Sequence, residues 1–139
     1  VSFFLNNKAN SNSSSKPPSP TTKQLGDAAE AQALRHLLQA GLRLVQRNYR
    51  TPGRGGGEID LVMRDADGTL VFVEVRRRAG ASHGGAAASV GGVKQRRIVL
   101  AARHYLMRLA TVPPCRFDVV AVQGGEVTWL KAAFDASGT

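Results

Sequence analysis

The sequence predicts an α/β domain, a central mixed β-sheet flanked by helices in the order α-β-β-β-α-β-β. Three observations carry that expectation. Two long segments space their apolar residues at the helical period. Five shorter runs are rich in Val, Ile, Leu and Phe, as strands are. Strong turn signals separate them: Thr51-Pro52 with Gly53–Gly57, Asp65-Ala66-Asp67-Gly68, Pro113-Pro114 and Gly124-Gly125.

The elements follow in order. Residues 1–20 are Asn/Ser/Pro-rich, with little apolar beyond Phe3, Phe4 and Leu5; the composition predicts a disordered tail, with the folded domain at 21–139. Thr21 or Thr22 can cap a helix that runs to about Ala40 and stops at Gly41. Leu34, Leu37, Leu38 and the alanines form its buried stripe, and Gly26 is expected to let it approach the sheet closely. Leu42–Arg50 is the first strand. Glu58–Arg64 and Thr69–Arg76 form a hairpin around the turn at 65–68. A Gly/Ala/Ser-rich loop at 79–92 leads to a helix from about Val93 to Leu109, with Ile98, Ala101, Ala102, Tyr105, Leu106 and Leu109 on one face. Arg116–Gln123 and Glu126–Lys131 are the last strands.

The formal charge is +9, and its distribution matters more than its size. From Val75 to Phe117 the chain has nine cationic residues (Arg76, Arg77, Arg78, Lys94, Arg96, Arg97, Arg103, Arg108, Arg116) and no Asp or Glu. Arginine dominates, and its planar fork suits phosphate. The stretch points to nucleic acid ahead of a merely solvated basic face. Cys115 is the only cysteine, which excludes a disulfide framework and a thiolate cluster. No apolar run approaches the ~20 residues a membrane span needs, and Val1–Leu5 is too short for a signal segment. The expectation is a cytoplasmic protein with no membrane partner. The oligomeric state stays open, a homodimer being one option.

Two strands carry acids where aliphatic residues are expected: Asp60 in Gly-Glu-Ile-Asp-Leu-Val (57–62) and Glu74 in Val-Phe-Val-Glu-Val-Arg (71–76). A buried carboxylate must be paired, hydrogen-bonded or metal-bound. Strict alternation puts Glu58, Asp60 and Val62 on one face and Ile59, Leu61 and Met63 on the other, with Phe72, Glu74 and Arg76 together on the next strand. Asp60 and Glu74 then share a face at a spacing that suits Mg²⁺ or Mn²⁺; edge-strand carboxylates facing solvent or arginines are the alternative. Glu30 lies on the first helix's apolar stripe, as a further acid for this site or as an arginine partner. Lys94 and Gln95 extend the second helix's core-facing stripe at its N-terminus, a polar pair in place of apolar residues, or else a snorkelling lysine. His83 in the loop is weak evidence for contact with phosphate. His36 and His104 are expected on helix surfaces, Tyr49 and Trp129 as core or rim aromatics. Gly53–Gly57 lacks the following Lys-Ser/Thr helix and is no nucleotide P-loop.

Gly26…Glu30, Arg47-Asn48-Tyr49-Arg50, Gly57-Glu58-Ile59-Asp60-Leu61, Val71–Arg76 and Lys94-Gln95-Arg96-Arg97 together resemble the YraN family of small bacterial proteins over about residues 22–131. That family has an expected restriction-endonuclease-like fold, similar to Holliday-junction resolvases. The resemblance implies metal-dependent phosphodiester cleavage. Glu30, Asp60, Glu74 and the Val75 carbonyl would hold Mg²⁺ or Mn²⁺, and Arg76, Lys94 and Gln95 would complete the catalytic set. Arg77, Arg78, Arg96 and Arg97 would contact backbone phosphates, of DNA ahead of RNA, in branched or recombination substrates. One position departs from the pattern: Arg76 stands where the superfamily has lysine. Arginine stabilises charge but does not take a proton. The sequence therefore supports an Mg²⁺-dependent endonuclease-like protein, with a non-catalytic nucleic-acid-binding module as the alternative. A domain that meets an acidic protein is a third, weaker option.

Overall fold

The computed structural model describes residues 16–78 and 90–136. The tail's residues 1–15, most of the predicted 79–92 loop with His83, and residues 137–139 lie outside them. The seven predicted elements are present in the predicted order: α1 (Thr22–Gln39), β1 (Arg43–Arg50), β2 (Glu58–Arg64), β3 (Leu70–Arg77), α2 (Gly92–Leu106), β4 (Cys115–Gln123) and β5 (Glu126–Phe134). α2 ends three residues earlier than its apolar spacing suggests, and β5 runs three residues further.

Local chemistry explains the boundaries. Thr21 caps α1: its hydroxyl accepts the Gln24 N–H at 3.1 Å, and the Gln24 side-chain oxygen accepts the Thr21 N–H at 2.8 Å. This capping box satisfies two otherwise orphaned donors. Gly41, at φ 103°, turns the chain out of the helix into β1. Between β2 and β3, the Asp65 N–H donates to the Thr69 carbonyl at 2.8 Å, and Gly68 at φ 91° closes the turn.

The sheet order is β1-β2-β3-β4-β5. β3 and β4 are parallel, joined by the crossover that contains α2; every other neighbouring pair is antiparallel. One helix covers each face. Ala29, Ala33 and Leu37 of α1 pack with Leu61, Met63, Val71, Val73, Val120 and Val122. Ile98, Ala101, Ala102 and Tyr105 of α2 pack with Tyr49, Ile59, Val62, Phe72, Phe117 and Val119.

Three expectations are corrected. Leu38 is 45% exposed, because α1 meets the sheet through the narrower Ala29/Ala33/Leu37 line. A methyl group on Gly26 would touch nothing within 4 Å; burial on α1 begins only at Ala29, so the helix's first turn stands clear of the sheet. Strict alternation along β2 also fails. Ile59 packs on the α2 side with Val62, whereas Leu61 and Met63 pack on the α1 side. The side-chain pattern reverses across Asp60. On β1, Asn48 takes φ 51° between Arg47 and Tyr49, whose partners are Leu61 and Ile59. Asparagine tolerates this left-handed backbone better than most residues, and it bends β1 at the level where β2 reverses.

Asp118 is a buried acid that the sequence pattern does not single out. It is fully buried at a register shift between β4 and β5. Both its oxygens accept Arg116 Nε at 3.1 Å, Trp129 Nε1 donates at 2.9 Å, and Ala132 N–H donates at 2.9 Å. Arg116 reaches on to Asp65 at 2.9 Å. The network ties the β2–β3 turn to the far edge of the sheet. Asp118→Ala strands the part-buried Arg116 and Trp129 donors and the Ala132 N–H, so urea unfolding should show a loss of about 3–5 kcal/mol. A loss under about 1 kcal/mol would mean that water replaces the carboxylate.

Candidate functional site

The site begins where the β2–β3 ladder stops. Its last pair toward this end is Leu61↔Val73. The next β3 donor facing β2, the Val75 N–H, is taken at 2.8 Å by Asp60 Oδ2. A side chain has replaced a ladder bond. Since the N–H and C=O of one strand residue face the same neighbour, the Val75 carbonyl also faces this gap. Asp60 therefore sits near the plane of the sheet, between the α1 and α2 layers, at the point where alternation reverses.

Glu74 lies one residue before Val75, 92% buried at its side chain, on the α2 face. It is close enough to hydrogen-bond Asp60. Burial and the Asp60 charge push its carboxyl up to about 8, against a smaller opposing pull from Lys94. Burial also raises Asp60, offset by the Val75 N–H and by the bond to Glu74. Two carboxyls this close, out of water, share one proton and titrate as a pair. Lys94 Nζ, from the first turn of α2, lies 3.4 Å from Glu74 Oε2 while remaining half in solvent.

The remaining predicted residues distribute around this core. Glu30 approaches from the α1 layer. Burial, then the Asp60 charge, raises its carboxyl, and Arg47 Nη2 at 3.9 Å lowers it. Among the described residues no three His, Cys, Asp or Glu side chains are grouped tightly enough to hold a metal ion, so Glu30 stands near the pair without closing a three-acid cluster. Arg76 is half-buried, two residues beyond Glu74 on β3; Lys94 is the cation paired with Glu74. The Gln95 side chain points away from the acids, donating to the Val90 carbonyl at 2.7 Å, where it holds the entry to α2. Arg77, Arg96 and Arg97 are exposed, whereas Arg78 is half-buried with its N–H on the Val122 carbonyl at 2.8 Å. His104 is exposed but bonded through Nδ1 to the buried Tyr49 hydroxyl, and His36 packs edge-on to Trp129.

A polar cleft joins Lys94 and Arg97, which the sequence singles out, to the Gly53–Gly57 loop, for which it names no role. It has a volume of about 430 Å³ and is lined by Arg50, Thr51, Gly56, Gly57, Glu58 and Arg97, among others. The signal was the glycine run directly before Glu58-Ile59-Asp60, which the absence of a P-loop pattern does not explain away.

The model of the "Uncharacterised protein family UPF0102" matches residues 29–122, a span that holds Glu30, both carboxylates of the pair, Lys94 and the cleft. The chain belongs to UPF0102. It is 74% identical over 116 residues to a UPF0102 protein of Albidiferax ferrireducens, covering 84% of this chain and 91% of that one. A UPF0102 protein of Methylibium petroleiphilum is 69% identical over 120 residues, 84% of this chain and 98% of its own. One from an Acidovorax species is 58% identical over 134 residues, 96% and 98%. UPF0102 is the family to which the YraN resemblance pointed.

The carboxylate pair predicts a pH dependence for this UPF0102 protein without metal. Both acids are raised in the fold, so between about pH 4.5 and 8 the folded state keeps protons that the unfolded chain has released. Stability therefore falls as pH rises through that window. In chelator, the Tm of Glu74→Gln minus that of wild type should grow by several degrees from pH 5 to 8.5. A constant difference would show that the acids do not share a proton.

Proposed function

We propose that this protein is an Mg²⁺- or Mn²⁺-dependent nuclease acting on DNA phosphodiesters, with Asp60 and Glu74 as its metal-holding acids. The observation that carries the reading is the pairing of a buried carboxylate, Glu74, with the part-buried Asp60 at a break in the sheet, only partly balanced by Lys94. As a purely structural device the pair is poor, since burial and the Asp60 charge both disfavour an ionised Glu74. The donors fit a hard divalent cation: two carboxylates, with the Val75 carbonyl facing the same gap and Glu30 adding charge from α1. Such an ion, when bound, supplies a water of lowered pKa and neutralises phosphate charge.

The other residues do work of their own. The Val75 N–H fixes the Asp60 carboxylate, so its free oxygen is preoriented. Lys94 sets Glu74 by an ion pair and presents its half-exposed ammonium toward an incoming phosphate. Arg76, fixed on β3 beside Glu74, adds positive charge where negative charge builds up during displacement. The exposed Arg77 and Arg96 attract the polyanion, giving binding that weakens steeply with salt. The resemblance to resolvase-type nucleases supports branched and repair intermediates as substrates.

Arg76 supports a second reading. It occupies the position where the superfamily has its lysine, and it cannot serve as a base. With Lys94 already committed to Glu74, a protein that binds nucleic acid without cutting it has the same surface.

The two readings separate experimentally. Calorimetric titration with Mn²⁺ should show one saturable site, lost in Asp60→Ala and Glu74→Ala. Plasmid and junction DNA should be cut with either metal, with Asp60→Ala at least ~10³-fold slower and Lys94→Ala ~10²-fold slower in kcat. Metal binding with no cleavage, and DNA affinity unchanged by chelator, would establish the binding module instead.

A further inference from the structure

The cleft beside Lys94 is built rather than incidental. Its outer wall is the loop 51–57, pinched shut at its base: the Thr51 N–H donates to the Gly57 carbonyl at 3.0 Å, and the Gly57 N–H returns to the Thr51 hydroxyl at 2.8 Å. Its inner wall is the first two turns of α2. The walls meet where Gly57 lies on the Arg97 backbone, so closely that a Cβ on Gly57 would fall 2.0 Å from the Arg97 carbonyl oxygen. Only glycine allows that approach. The backbones are thus held together at the floor while the side chains stand above it.

Charge and shape then define the occupant. Arg50, Lys94 and Arg97 line the cleft, against Glu58 alone, and Glu58 is already paired with Arg50 at 3.2 Å. The net positive lining calls for an anion. Lys94 belongs both to the cleft and to the Glu74 ion pair, so cleft and carboxylates form one continuous surface. A volume of about 430 Å³ is on the scale of a small-molecule pocket and has room for one nucleotide. A base pair with both its strands does not enter it. Among the described residues no aromatic side chain lines it, so these walls give a base no stacking platform, and their recognition falls on phosphate and sugar.

We infer that this cleft seats one nucleotide of an unpaired strand, next to the phosphate offered to Asp60 and Glu74, with its own phosphate held by Arg97 and Arg50 and its base unread. The inference rests on the nuclease reading above and narrows it: the strand enters the site single, from a flap, gap or branch. Arg97 and Arg50 are specificity residues here, selecting strand form rather than sequence.

Fluorescence anisotropy in EDTA tests this with a labelled single-stranded 10-mer and the same 10-mer in a blunt duplex. Arg97→Ala should weaken single-strand binding about 5–10-fold and reduce its salt slope by about 0.7, with duplex binding changed less than about 2-fold. Arg97→Lys should recover most of the loss. Arg43→Ala, at the opposite end of β1, should leave both affinities near wild type. Both 97 and 43 are exposed positions, and matching thermal melts will show that the variants fold. Equal losses for single strand and duplex, or no loss on Arg97→Ala, overturn the cleft assignment while wild-type binding leaves the nuclease reading standing. Wild type binding neither oligonucleotide overturns both.

Discussion

Everything at the candidate site depends on one unmade ladder bond. Past Leu61↔Val73, β2 and β3 no longer exchange backbone hydrogen bonds, and the Asp60 carboxylate satisfies the Val75 donor in their place. A buried N–H cannot be left without a partner at small cost, so Asp60 is held at that point as firmly as a backbone group would be. The reversal of side-chain alternation in β2 and the left-handed Asn48 on β1 are the geometric counterparts of the same break. Glu74 then has no choice of neighbour. Regular alternation along β3 turns it to the α2 face, and the opened gap brings it against Asp60.

The fold contains a second carboxylate in nearly the same backbone role, and the difference between the two is instructive. Asp118 also accepts a strand N–H at an irregularity, that of Ala132, itself at φ 51°. Asp118 is saturated by a two-oxygen arginine contact and an indole donor, so its charge is answered from within the protein. Asp60 receives one backbone donor and an acidic neighbour. The same local device locks a sheet edge in one case and leaves an electrostatic demand open in the other. Asp118 is fully buried and Asp60 only partly so, and the count of donors separates them further.

Much of this was legible in the sequence. Apolar spacing and turn residues name all seven elements, because each strand run is short, β-branched and bounded by Gly, Pro or Asp, and each helix stripe is sustained. Asp60, Glu74 and Lys94 stand out because each interrupts an apolar pattern. What could not be read was anything decided by a break in regularity. Period-two alternation assigns Ile59 to the wrong face because it cannot foresee the reversal at Asp60. Gln95 looks like a site residue from helical spacing, but a helix entry with no side-chain cap at Gly91 claims its amide for the Val90 carbonyl. Asp118 has the appearance of any strand acid until three donors from two strands converge on it. The cleft was hidden for a similar reason: glycines show where side chains are absent, not what backbone lies against them.

The position of β1 has a bearing on solubility as well as on the site. Among the described residues it is an outer strand, paired on one side only, and it is largely exposed. A flat outer strand is a template on which further copies of a chain can stack into fibres. Here that edge carries Arg43, Arg47 and Arg50, and Asn48 at φ 51° bends it out of the flat geometry stacking requires. The kink that accompanies the reversal at Asp60 thus also spoils the edge for self-templating, and the arginines make each copy repel the next. The irregularity that shapes the interior helps keep the molecules apart from one another.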